Sequence, residues 1–354
     1  MSRHSVHFSS LFFLLSLLVN QTGYSNTIHE ENQTMLKRPI LWQTSTDVPE
    51  KLNPVNLHQV YFREKVDIAK IADELTTSAN DPYEASLPMI ISANLGDVGH
   101  YKLALGKLNE KMDLLNEKPE NFERWMRNNS FKAWMLGRVL LSAANMNDPG
   151  NIATAKNKMR ALLEEKITPE DNMAFNTWAW GYLAALNESE YLSCRKKMLD
   201  DSVVLSEKYQ AEPGNHDALS NALWAWVMDL SAASAKNYKD YHHIKQKMIE
   251  LTGKKSITET LETGLLRTEK SNDYPAWALA KVLHAAANMQ DWALYDEIKP
   301  AVAVSIEAAR QTDKKAEYAL AITDNQLAIE AEKTLRLRRE VPMPSAKRAR
   351  ITSP

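Results

Sequence analysis

Asp229, inside "WAWVMDLSAAS", and His284, inside "KVLHAAAN", are the side chains best suited to proton transfer. A carboxylate and an imidazole in facing helices could act as a general acid and base on a glycosidic bond. A second series suits binding. Trp134, Trp178, Trp224 and Trp277 recur along the chain, and four residues after them stand Arg138, Tyr182, Met228 and Lys281. Residues at i and i+4 share a helix face, so Trp134, Arg138, Trp178, Tyr182, Trp224, Trp277 and Lys281 are expected to form an aromatic stripe edged by cations. Stacking and cation–π contacts would suit such a stripe to an acidic peptide, an extended chain or a sugar.

Other reactive residue types lack the companions their chemistry needs. "GNHD" at 214–217 resembles the metal loop of calcineurin-like phosphoesterases, but it lies between two helical patterns, without the other metal-ligand motifs. Asn215 or Asp217 capping a helix accounts for it. His242 and His243 are adjacent and diverge by about 100° on a helix, so they do not share an ion easily. Cys194 is the only cysteine, which excludes an intrachain disulfide, and no histidine pairing marks it as a nucleophile. The chain contains no H-E-x-x-H, G-x-S-x-G, Walker loop or G-x-G-x-x-G. No metal or cofactor is expected, and a binding role is favoured over an enzymatic one.

The elements that must position these residues are helical hairpins. "FKAWMLGRVLLSAANMND" (131–148) and "YPAWALAKVLHAAANMQD" (274–291) align without a gap, and 175–191 and 219–238 carry the same theme. A fainter copy is "SLPMIISANLGDVGHY" (86–101). Each leads into a second helical run containing Lys-Met, at Met112, Met159, Met198 and Met248 in four of the five. Five hairpins at spacings of roughly 40–55 residues indicate a repeat array. The phrase "Asn-Met-x-Asp" reads as punctuation. Asn145 and Asn288 are expected to take the left-handed C′ position, with Met146 and Met289 packing back, while Asp148 and Asp291 start the next helix. Asp81-Pro82 with Glu84, Thr168-Pro169, and Ser256 with Glu259 read as further helix starts, and Gly253 as a stop. Flanking helices are expected over 56–79 and about 311–339.

The alternation of large Trp and small Ala-Ala positions on paired helices resembles the tetratricopeptide-like α-solenoids. It departs from that family in its longer spacing and in lacking the full Trp-Leu-Gly-Tyr sequence. The resemblance implies an all-α, right-handed helical-hairpin repeat array, and the alternative is a closed α/α toroid. It implies no particular function.

Composition agrees with this reading. Hydrophobic content of 44% and charged content of 25% are ordinary for a globular protein, and ten glycines disfavour turn-dense β folds. The N-terminus has Arg3, an apolar run from Leu11 to Val19, and small residues up to Ser25, which is the pattern of a signal peptide over 1–25. A polar linker over 26–55, a repeat domain over 56–339 and a basic tail over 340–354 would follow. No later segment is long and apolar enough to span a bilayer. The net charge of −2 hides a basic end with Arg336, Arg338, Arg339, Lys347, Arg348 and Arg350, so the body is acidic and a nucleic-acid partner is not expected there.

The expectation is an exported protein, periplasmic or secreted, whose concave groove holds a protein or peptide, with carbohydrate as the other ligand class. The alternatives are an α/α-barrel enzyme on carbohydrate and a secreted effector addressed by its basic tail.

Overall fold

A computed structural model describes residues 54–165, 172–234, 238–265, 274–312 and 314–340. Residues 1–25, nearly all of the 26–55 linker, the Thr168-Pro169 start and almost all of the basic tail lie outside these. The described residues contain thirteen α-helices and no strand. These are α1 (Pro54–Ser78), α2 (Pro82–Asn94), α3 (Val98–Glu117), α4 (Asn129–Asn145), α5 (Pro149–Glu164), α6 (Met173–Leu186) and α7 (Glu188–Ala211). They continue with α8 (His216–Ser234), α9 (Tyr238–Thr252), α10 (Ile257–Leu265), α11 (Pro275–Met289), α12 (Trp292–Gln311) and α13 (Lys315–Glu340). None of them is long and apolar enough to cross a membrane.

Local side-chain chemistry sets the helix starts. Asp81, Asp97, Asn128, Asp148, Asn187 and Asp291 each accept a backbone N–H from the first turn of the following helix. Glu84 also accepts the N–H of Asn80 at 2.7 Å, and Glu259 accepts that of Lys255 at 3.1 Å, which completes two reciprocal caps. Asn172 caps α6, just beyond the expected Thr168-Pro169 start.

The hairpin punctuation falls two residues later than expected. Asn145 is the last residue of α4, and the left-handed residue is Asn147, at φ 52°. In the second copy Asn288 is still helical and buried, and Gln290 turns left-handed at φ 55°. Asn145 is displaced from the cap because its side chain has another partner: Nδ2 donates to Asn94 Oδ1 at 2.9 Å. Gly253 takes its expected stop position, at φ +65°.

The first helices of the hairpins, α2, α4, α6, α8 and α11, pack each on the next, and each also packs on its own second helix. Buried Ala143, Ala144, Ala184, Ala232, Ala233 and Ala285 to Ala287 allow that close approach. From the second helices Met159, Met198 and Met248 enter the core fully buried, while Met112 is partly buried. The final helix, α13, lies along α11 and also touches α2 and α1. Asn94 of α2 donates to Thr323 Oγ1 of α13 at 3.3 Å, and Lys315 Nζ reaches Glu74 of α1 at 3.1 Å.

Candidate functional site

The i, i+4 spacing on successive first helices brings most of the expected stripe to one place. Trp134, Arg138, Trp178, Tyr182, Trp224 and Trp277 line a single cavity of ≈ 100 Å³, together with Tyr83, Ser220, Asn221, Met228 and Tyr274. Tyr83, Trp134, Trp178, Ser220, Asn221, Trp224 and Trp277 lie in the N-terminal halves of their helices and Tyr274 just before its own, while Arg138, Tyr182 and Met228 lie past the midpoints. A wider opening of ≈ 710 Å³ adjoins it and shares Tyr83, Trp134, Trp178 and Tyr274. Trp125, on the second of two short 3₁₀ turns between α3 and α4, forms part of its lip, held edge-on to Phe131 at 5.3 Å.

The rings pack in sequence around the wall. Trp134 stacks on Phe175 at 4.8 Å and 10°, and lies 4.9 Å from Trp178 at 59°. Trp224 lies 5.3 Å from Trp277 at 54°, and Tyr274 meets Trp277 edge-on at 6.2 Å. Tyr83 closes on Trp134 at 5.6 Å. Gly137 makes the wall tight, since a Cβ there would meet the Tyr182 ring at 2.8 Å.

Arg138 is 2% exposed, sandwiched with its guanidinium carbon 4.2 Å from the Trp134 ring and 4.7 Å from that of Tyr83. Nη1 donates to Ser86 Oγ at 2.5 Å, while Nε has no hydrogen-bond partner. The indole N–H of Trp178 also lacks an acceptor.

Lys281 does not join the cavity. Its ammonium covers the Trp277 face at 4.8 Å and pairs with Asp324 of α13 at 3.3 Å, because α13 offers a carboxylate at this point that α4 and Arg138 do not meet.

The proton-transfer candidates lie apart from it. Asp229 is completely buried, accepts Ser202 Oγ at 2.7 Å, and burial raises its pKa well above the carboxylate range. His284 has its pKa pushed down to about 4, by burial first, with Asp324 opposing the shift. Neither residue lines the aromatic cavity. Burial also raises the Cys194 thiol pKa, which disfavours the thiolate. Among the described residues no group of three His, Cys, Asp or Glu could hold a metal. Asn215 is the cap in "GNHD", accepting the N–H of Ala218 at 3.1 Å.

Compared with protein-family profiles, characterised proteins and solved structures, the chain gives no match.

Tyr83, Ser220, Asn221 and Tyr274 escaped the sequence pattern, two of them aromatic. Tyr83 stands eleven residues before Asn94, as Trp134 stands before Asn145 and Trp277 before Asn288, so aligning the faint repeat on its asparagine would have found it. Tyr274 had no such signal. It precedes Pro275 in a left-handed conformation, at φ 49°, which is uncommon for an aromatic residue. The cap it fails to provide comes from Glu317 of α13, which accepts the Ala276 N–H at 2.8 Å.

Proposed function

We propose that the protein is a binding protein whose first helices close into an α/α toroid, with α13 as the sixth inner helix, and that its ligand enters the aromatic cavity. The observation that carries this reading is that Tyr83, Trp134, Trp178, Trp224 and Trp277, one from each of five successive first helices, surround one cavity. The return of α13 to α2 and α1 supports closure over the open tetratricopeptide-like array.

A narrow aromatic cavity that continues into a wider opening suits a sugar unit or the end of an extended chain better than a folded partner. The positions of Asp229 and His284 favour binding over hydrolysis, because neither could reach a ligand held against these rings. In this reading the leader-like residues 1–25 deliver the protein for export.

Two measurements test it. Small-angle scattering of a closed array is expected to give a radius of gyration near ~20 Å by domain scaling, and a clearly larger value would favour the open solenoid. Titration of the intrinsic tryptophan fluorescence with neutral oligosaccharides, acidic oligosaccharides and peptides is expected to show saturable binding that Trp178→Ala weakens. Binding that ignores Trp178 would remove the cavity from the function.

A further inference from the structure

We infer that the cavity recognises a carboxylate carried on a sugar ring, with Arg138 as the residue that selects it. The inference rests on the binding reading above and adds the chemistry of the ligand.

The guanidinium cannot shed its charge, and a buried charge without an anion is costly. Among the described residues no carboxylate forms an ion pair with Arg138, whereas Lys281, at the equivalent place in its repeat, has Asp324. The rings of Tyr83 and Trp134 cover the faces of the guanidinium and offset part of that cost. They leave its edges. Ser86 takes Nη1, and Nε stands without an acceptor. The Nε and Nη2 edge is the fork that holds both oxygens of a carboxylate.

The rest of the wall points the same way. Trp178 Nε1 is a second buried donor without an acceptor, so both orphaned groups call for an oxygen-rich ligand. Tyr274 cannot supply the negative charge, because burial raises its pKa and keeps the phenol neutral. The Trp178 indole, tilted from Trp134, suits the C–H face of a pyranose ring, and Ser220 and Asn221 line the wall where ring hydroxyls would lie. A flexible peptide end would use the guanidinium and leave the indole faces uncovered.

The test uses the full chain, with glucuronate, galacturonate and their short oligomers as probes beside glucose, galactose and their neutral oligomers. Acetate, inorganic phosphate and a peptide with a free C-terminus are the controls. Fluorescence titration is expected to show the uronates binding at least tenfold more tightly than their neutral counterparts. Arg138→Met should abolish that preference without lowering the melting temperature, since it removes a buried charge that has no anion. Arg138→Lys should keep part of it, retaining charge without the fork.

Equal affinity for acidic and neutral sugars, no uronate binding, or unchanged uronate binding by Arg138→Met would each overturn the assignment. So would tighter binding of the peptide or of phosphate. Neutral-sugar binding that needs Trp178 and ignores Arg138 would leave the cavity reading standing while the carboxylate fails. Absence of Trp178-dependent binding by any probe would end both.

Discussion

The ammonium of Lys281 lies 3.3 Å from the carboxylate of Asp324, and both side chains are almost wholly buried. The same carboxylate oxygen accepts the indole N–H of Trp277. Trp277 and Lys281 come from α11 and Asp324 from α13, and Asn94 of α2 donates to the neighbouring Thr323. Asn145 of α4 extends this polar seam by donating to Asn94. In the proposed ring, the seam joins the last inner helix to the first.

Removing one partner of this pair strands the other. Asp324→Ala is expected to destabilise the fold by about 3–5 kcal/mol, because a buried ammonium loses its anion. Adding Lys281→Met to that variant should recover part of the loss. Urea unfolding of the two single variants and the double variant measures this, and an additive double variant would show that the two charges do not interact.

Two glycine substitutions should act in opposite directions. Gly137→Ala drives a methyl group into the Tyr182 side chain, whose own Cβ is only 3.0 Å away and cannot swing aside, so a loss of about 1–3 kcal/mol is expected. Gly106→Ala meets nothing within 4 Å on the exposed face of α3 and should gain about 0.5–1 kcal/mol from helix propensity. Thermal melts of both variants decide whether the close approach of α4 and α6 is real.

Asp229 ties stability to pH. Burial raises its folded pKa above the unfolded value, the Ser202 hydrogen bond opposes the shift, and Asp201 adds to it. The stabilisation from keeping it protonated is full below the unfolded pKa and is lost as pH rises through the folded one. Asp229→Asn should therefore melt higher than the parent protein at pH 7, with the difference shrinking toward pH 4. A difference independent of pH would show that Asp229 does not titrate in this way.

His284 acts in the opposite sense. Its folded pKa, pushed down to about 4, lies below the ordinary 6.5, so its contribution is present above 6.5 and is lost as pH falls through about 4. His284→Gln should melt more nearly alike at pH 6.5 and pH 4.5 than the parent protein does. An equally steep acid decline in the variant would assign that decline to other groups.

The local rules of helix capping were legible in the sequence. Asp81, Asp148, Asp291, Asn215 and Gly253 sit where their side chains or backbone freedom require, because a cap depends on neighbours within four residues. The exception is instructive. Asn145 and Asn288 looked like left-handed caps, but Asn145 bonds to Asn94, 51 residues away, and the turn falls to Asn147 and Gln290.

The same division runs through the candidate site. Residue types and the i, i+4 spacing determined that Trp134 with Arg138 and Trp178 with Tyr182 share helix faces, since helical periodicity is local. The tertiary structure decided which cation is neutralised and which is left in the cavity. Arg138 and Lys281 occupy equivalent places in two copies of one repeat, yet Asp324 reaches only Lys281, because α13 packs along α11 and not along α4. That choice is made by the packing of distant helices, and no pattern within either repeat encodes it.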